Sequence, residues 1–428
     1  MGKATSSGTA PISPDFRVAI IGAGIAGINL AIGLQARNVP FTLYERAPEF
    51  REIGAGIGFS PNSERAMALL DPEILASFKR IANPNGEDYF QWNDGHVTDE
   101  LIFKLFVGKD GFQGCRRSDV LEEWAKLVDP SSIQFNKQID TLSDPASAGD
   151  PVEMRFTDGT SATASVVIGC DGIRSRVRQL LLPADAPAAH PHYTAKYCFR
   201  ALVPMAAAVA AVGTYKAGTR FMFLGPRAHI ITYPIGGNTV LNVLAVLSDD
   251  APWPDTAKHT APGSKSEVVR AFAGWHPTVT KIADLLPDEM DKWAIFDMAE
   301  HPVPTYVRGR VGLAGDAAHA TGPHLGAGGG LGIEDAAVLA PLLEAVARGG
   351  GGGVERALGA YNEVRYQRTQ DIVQWTRQAC DYFHWTDPEV GSDFEKFGKA
   401  ITPKFHAIWE YDINVSVEKA LAQYKASV

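Results

Sequence analysis

Gly22, Gly24 and Gly27 stand in the run Gly-Ala-Gly-Ile-Ala-Gly, a spacing that brings backbone amides against a pyrophosphate. The first glycine permits a tight turn, the second lets the backbone approach the anion closely, and the third lets a helix pack tightly on a strand. Free amides at the start of that helix then face the phosphates. Glu45 closes the next strand, where an acidic side chain accepts hydrogen bonds from the ribose of an adenosine half. These residues specify an adenine dinucleotide and leave FAD and NAD undistinguished.

A second glycine-rich stretch, Gly312 to Gly326, holds Asp316 at the end of a strand, where a carboxylate can accept from a ligand hydroxyl. The glycines after it leave amides open to an anionic group. Gly326, Gly328, Gly329 and Gly330 precede a helix expected to begin around Ile333, Glu334 and Asp335, and its N-terminus stabilises negative charge on a bound group. The competing reading is an ordinary glycine-rich turn. His319 and His324 have no acidic or cysteine partner at ligand spacing, so no metal is expected. The chain has no second complete GxGxxG, which favours transient docking of NADPH or NADH in a groove.

The elements that must position these residues follow from hydrophobic pattern. Arg17 to Gly22, Ile25 to Arg37 and Phe41 to Glu45 read as strand, helix and strand, the opening of a Rossmann half. Glu64 to Arg80 and Asp119 to Val128 read as helices, and Val152 to Phe156 and Ser165 to Cys170 as strands. Strand-like runs then dominate from Tyr193 to Leu247, a candidate antiparallel second domain. Helical segments Lys265 to Trp275 and Val279 to Leu285 follow, then a strand at Val311 to Ala314 and a helix Glu334 to Ala347. The glycines from Gly349 to Gly353 read as a surface connection. The tail beyond Tyr361 is rich in helix formers and aromatics, suited to packing on the core or on a partner subunit, which leaves a homodimer open.

Composition narrows the partners. A length of 428 residues exceeds the ~250–300 at which one core usually divides, so two packed domains are expected. The net charge of −9 and the scattered basic residues argue against nucleic acid. Cys115, Cys170, Cys198 and Cys380 are isolated, with neither disulfide nor zinc spacing, which fits the reducing cytoplasm. Residues 1–16 read as a disordered lead-in without a secretory h-region. Gly2 and Ser6 match the loose acyl-acceptor pattern that many unmodified chains share. No run of ~18 apolar residues predicts a membrane span.

Two longer motifs bear on the choice of cofactor. Ile168 to Arg178, with Asp171, Gly172, Ser175 and Arg178 in register, resembles the DG fingerprint of aromatic-ring flavoprotein hydroxylases, and Gly312 to Gly326 resembles their GD fingerprint. Phe50 to Gly58 resembles the loop these enzymes place over the flavin, with Gly58 a backbone contact, and Arg117 matches their FAD-contacting arginine while Arg116 reads as solvent-facing. The chain thus resembles group A FAD-dependent aromatic monooxygenases of the salicylate-hydroxylase type, and within them fungal enzymes that dearomatise phenolic polyketides. That resemblance implies an α/β fold with a Rossmann-like FAD-binding domain of the glutathione-reductase type, an inserted mixed or antiparallel β-sheet substrate domain, and C-terminal helices. The expected boundaries are 17–190 for the first part of the FAD domain, 191–300 for the substrate domain, 301–348 for the FAD domain resumed and 354–428 for the helical tail.

It also implies a reaction in which NAD(P)H reduces FAD, O2 adds at flavin C4a, and the hydroperoxide transfers its distal oxygen to a phenolate. Alternation puts Cys198, Arg200 and Leu202 on one strand face and Ile231, Tyr233 and Ile235 on another. Arg200 and Tyr233 match the residues with which the dearomatising enzymes hold the substrate phenolate. The chemistry is coherent, because a guanidinium stays charged beside a phenoxide and a tyrosine hydroxyl donates a second hydrogen bond. The plainer readings are a salt-bridged strand-edge arginine and a core tyrosine with a satisfied hydroxyl. Pro323 matches the family's proline beside the flavin, and His324 next to it is placed in the substrate pocket. The expected reaction is oxidative dearomatisation of a resorcinol-type aldehyde or ketone; the alternatives are decarboxylating salicylate hydroxylation and a non-enzymatic flavin-fold carrier.

Overall fold

The computed structural model describes residues 11–50, 56–108, 111–143, 150–349 and 352–426. Gly2 and Ser6 of the acyl-acceptor pattern, Arg51 to Ala55 of the loop before Gly58, and Gly350 and Gly351 of the glycine run lie outside the described residues.

Five strands, Phe41–Tyr44, Val18–Ile21, Val166–Gly169, Val311–Leu313 and Ile133–Gln134, form the parallel part of a six-stranded sheet. Fully buried Val and Ile runs such as Val18–Ile21 suit a sheet covered on both faces. Val18–Ile21 lies between Phe41–Tyr44 and Val166–Gly169, so the chain leaves it in one direction and returns on its other side. Such a reversal opens a crevice at the carboxyl ends of the strands. Because neighbouring parallel strands end at one edge, Gly22, Glu45, Asp171 and Asp316 arrive together although they are far apart in the chain.

The second sheet has eight strands, in the order Thr260–Ser264, Glu289–Asp297, His192–Pro204, Val240–Ser248, Ala228–Ile235, Phe221–Gly225, Tyr89–Asp94 and Leu101–Phe106. Its last two strands come from within the expected first domain, and Phe221–Gly225 pairs in parallel with Tyr89–Asp94. The 191–300 boundary therefore misses a quarter of the sheet. Short runs such as Tyr-Phe-Gln-Trp-Asn-Asp lack clean alternation because five of the six side chains, Phe90 to Asp94, are buried, on both faces of the strand.

Other departures have local causes. Pro72 divides the helix expected from Glu64 to Arg80 into Pro61–Leu70 and Pro72–Ile81, with the Asp71 side chain capping the second through the Glu73 amide at 2.8 Å. The helix expected from Glu334 begins earlier and spans Gly328–Ala347. Glycine costs about 1 kcal/mol per helical position, so propensity alone delays the start. Packing requires those glycines: a Cβ on Gly330 would lie 2.1 Å from Ser63 Oγ, and one on Gly332 3.0 Å from the Ala26 methyl. Within the expected lead-in, Phe16 is buried and the Ser13 amide donates to the Ala347 carbonyl at 2.8 Å, so residues 13–16 belong to the domain. The tail forms helices Gly353–Phe383, Phe394–Trp409 and Ile413–Ala426, and its aromatics pack inward, Phe405 and Trp409 against Phe90.

Candidate active site

The crevice holds two adjoining cavities of about 490 and 560 Å³, within the range of cofactor and ligand sites. Gly24, Arg117, Cys170 and Gly172 line both. Gly22, Glu45 and Asp171 line the first. Gly58, Arg200, Tyr233, Asp316, Pro323, His324 and Gly329 line the second.

The first turn is built by steric necessity. Gly22 has φ +101°, and a Cβ there would lie 2.6 Å from the Cys170 carbonyl oxygen. A Cβ on Gly27 would lie 1.9 Å from the Gly22 carbonyl oxygen, so Gly27 sits beneath the turn and lines neither cavity. Gly24 differs: its backbone is extended, nothing lies within 4 Å of a Cβ placed there, and that space is cavity. Glu45 fixes the turn by accepting from the Ala23 and Ala47 amides at 2.8 Å each, which leaves lone pairs on both oxygens for ribose hydroxyls.

Asp171 is occupied within its own motif. Its carboxylate accepts from Ser175 Oγ and from the Arg176 and Val177 amides at 2.5, 2.7 and 3.0 Å, capping the short helix that follows. Burial raises its carboxyl above the usual range despite those bonds. Arg178, expected to accompany it, is fully buried and donates to the carbonyls of Ala317 at 2.9 Å and Ala189 at 3.2 Å, so it ties the DG turn to the GD turn. Asp316, in contrast, is exposed onto the second cavity.

Beneath Asp316 lies an ionic cluster that sequence spacing did not mark, in which His319 meets Asp335. Asp335 accepts from the Gly315 amide at 2.9 Å, from His319 Nε2 at 2.6 Å and from Arg365 Nε at 2.8 Å. Burial alone would push this carboxyl up, but His319 and Arg365 hold it well below the usual range. Glu334 is likewise opposed by burial yet brought down to about 2 by Arg365 and Arg368. Removing one partner of a buried ion pair costs roughly 3–5 kcal/mol. Arg365→Met is therefore expected to lower the urea midpoint of the FAD-free protein by that amount of stability and to loosen the Gly315 turn; an unchanged midpoint would contradict this account of the cluster.

The substrate-facing wall comes from the eight-stranded sheet. Arg200 lies on an interior strand, between Val240–Ser248 and Glu289–Asp297, opens onto the cavity, and makes no ion pair with a described carboxylate. Its guanidinium sits 5.3 Å from the Trp293 ring centroid and also touches Cys198. The plainer reading of a salt-bridged edge residue does not describe it. Tyr233 lines the same cavity; burial raises its hydroxyl to about 12, offset in part by Arg220 and then Arg200, so it is a neutral donor at neutral pH.

Arg220 is the residue that sequence reasoning missed. It is buried, stacks at 3.6 Å from the Phe112 ring centroid and 4.8 Å from that of Tyr233, and keeps Nε without a hydrogen bond. Burial brings its guanidinium down to about 9, so it stays charged at neutral pH. The signal that singled out Arg200, an arginine among apolar strand residues, stands equally in Thr219-Arg-Phe-Met-Phe. Asn242 is also new, accepting from the Gly56 amide at 3.2 Å and so joining the flavin-side strand Gly56–Phe59 to the substrate wall. Arg117 begins the helix Arg117–Ala125 and lines both cavities. Arg116 departs from expectation: it is half-buried, packs against the Gly236 turn, and has a buried Nε.

Donors, shapes and charges fit FAD. The Gly24 face and Glu45 suit the adenosine and pyrophosphate, Asp316 the ribityl chain, and the N-terminus of Gly328–Ala347 faces the cavity through Gly328 and Gly329, where a positive dipole end favours anionic reduced flavin. A Rossmann-like sheet, a continuous dinucleotide crevice and an adjoining cationic cavity define a flavoprotein oxidoreductase.

Residues 15–376 match the family model described as FAD binding domain. FAD-dependent monooxygenase orf3 of Aspergillus niger is 46% identical over 432 residues, 96% of this chain and 98% of its own. Salicylate hydroxylase asL1 of Sarocladium schorii is 40% identical over 96% of this chain and 91% of its own. Among solved structures, a salicylate hydroxylase substrate complex superposes with TM-score 0.83 at 29% identity, over 96% of this chain and 98% of that one. The chain belongs to the FAD-binding-domain family and is an FAD-dependent monooxygenase of the salicylate-hydroxylase type, using O2 and NAD(P)H with FAD. No helix among the described residues is long and apolar enough to cross a membrane.

Proposed function

We propose that the second cavity binds a phenol as its phenolate against Arg200 and Tyr233, and that the enzyme hydroxylates and dearomatises a resorcinol-type aldehyde or ketone. The observation that carries this reading is Arg200, a cavity-facing guanidinium with no carboxylate partner among the described residues, beside a tyrosine whose hydroxyl stays protonated. Arg200 is exposed onto the cavity, so its charge is open to an anionic ligand oxygen that enters there. FAD supplies the oxygen-activating chemistry when bound. The chain's share is to ionise and orient the ring, with Tyr233 donating to the phenolate oxygen, Arg200 balancing its charge, and Phe90, Phe112, Met222 and Leu244 excluding water. Gly22, Gly24, Glu45, Gly58, Arg117, Asp171, Asp316 and Gly329 form the proposed cofactor-facing set, with Gly27 supporting the turn from beneath and Pro323 and His324 on the substrate side.

The second reading is decarboxylating hydroxylation of salicylate, favoured by the likeness to a salicylate hydroxylase complex, since a benzoate carboxylate would meet the same guanidinium. Supplying the holoenzyme with NAD(P)H and either 2,4-dihydroxyacetophenone or salicylate separates the two. A non-aromatic product heavier by one oxygen is expected from the first; catechol and carbon dioxide from the second would reverse the choice.

A further inference from the structure

Behind the substrate cavity lies a line of histidines that the reaction scheme above does not use. His324 lines the cavity on the Pro323 loop. His229 lies behind it, on the same strand face as Tyr233, with ring centroids 5.5 Å apart. His229 Nδ1 is hydrogen-bonded to His384 Nε2 at 2.9 Å, and His384 Nδ1 to Ser248 Oγ at 2.8 Å. The three rings are buried, whereas Ser248 is partly exposed at the end of its strand, beside the surface pair Arg227–Asp250. One nitrogen each of His229 (Nε2) and His324 (Nδ1) is buried without a partner, and one bridging water or a small ring rotation would complete the line.

Resting on the reading of the cavity as a phenol site, we infer that His324, His229, His384 and Ser248 form a relay that carries the phenol proton from the cavity to solvent. Each imidazole accepts a proton on one nitrogen as it releases one from the other, so no ring holds a net charge and both hydrogen bonds survive in the exchanged tautomers. The O–H bond of the phenol breaks, the phenolate stays against Arg200, and the proton passes to water or buffer at Ser248. Burial keeps the rings neutral, bringing His229 down to about 3 and His324 and His384 well below the ordinary range, with Lys196 adding to each. Lys196 is itself paired with Asp381 at 3.2 Å, and Cys380 Sγ lies 3.8 Å from His384 Nε2 as an un-ionised thiol whose value burial raises.

The same cluster offers His229, Cys380 and His384 ligand atoms within 4.8 Å of one another, a group that sequence spacing could not reveal. A metal there would occupy the nitrogens the relay needs, so the metal content of the purified holoenzyme is part of the test.

Anaerobic mixing of holoenzyme with 2,4-dihydroxyacetophenone, followed at the phenolate absorption band, reads the transfer directly. His384→Gln keeps a donor and an acceptor but cannot exchange tautomers quickly, and Ser248→Ala removes the outlet while sparing the buried rings. Both are expected to reach the wild-type phenolate amplitude at least ~10-fold more slowly. Wild-type rates in both variants would overturn the relay, since a structural role would be satisfied by the glutamine. Stoichiometric zinc in the holoenzyme would overturn it as well. Absence of the phenolate band in wild type would instead remove the phenol reading itself, and the relay with it.

Discussion

Replacing Arg200 with methionine is expected to cut oxygenation of a phenolic substrate by roughly 10²–10³-fold, the range for losing one preorganised donor to an oxyanion. The FAD content should stay at the wild-type level, because Arg200 lines only the second cavity and none of the dinucleotide contacts passes through it. Arg220 also lines the second cavity, but its guanidinium is stacked 3.6 Å from the Phe112 ring centroid and 4.8 Å from that of Tyr233, so it is not free to move into the place of Arg200. Arg200→Lys restores charge without the planar fork and is expected to recover only part of the rate. Undiminished turnover with bound FAD in Arg200→Met would sink the assignment of the phenolate site.

The second large effect separates cofactor binding from folding at neighbouring glycines. Gly24→Val is expected to weaken FAD binding by at least ~100-fold, about 2.8 kcal/mol, while leaving the melting temperature of the FAD-free protein unchanged. Its backbone is already extended, and its Cβ would enter empty cavity rather than protein. Gly27→Val should do the opposite and unfold the turn, because its Cβ would lie 1.9 Å from a backbone oxygen. Flavin fluorescence titration and thermal melts of both variants make the comparison. Equal loss of stability in the two would refute the division of roles.

These residues also show what was legible beforehand. Gly22, Gly24, Glu45 and Asp316 sit where strands end, so a local pattern of strand, turn and helix identifies them without knowledge of the rest of the molecule. Arg200 and Tyr233 follow from strand alternation and resemblance together. Asp171 lines the crevice, but its carboxylate is engaged by its own helix, a detail of cap geometry that a motif does not carry. Arg220, Asn242 and the His229–His384 pair are brought together from separate strands and a C-terminal helix, and nothing local marks them as partners. The early start of the helix at Gly328 was hidden because intrinsic propensity and tertiary packing point opposite ways there.

The parallel pairing of Phe221–Gly225 with Tyr89–Asp94 sets a rule for recombination. An enzyme designer who exchanges only residues 191–300 for those of another hydroxylase would graft a foreign six-stranded piece onto two native strands, mismatching the seam that carries Arg220 and Phe90. Crossovers that move Tyr89–Phe106 along with the later segment keep that seam native on both sides, so substrate range in this scaffold is inherited from two separate stretches of gene rather than one.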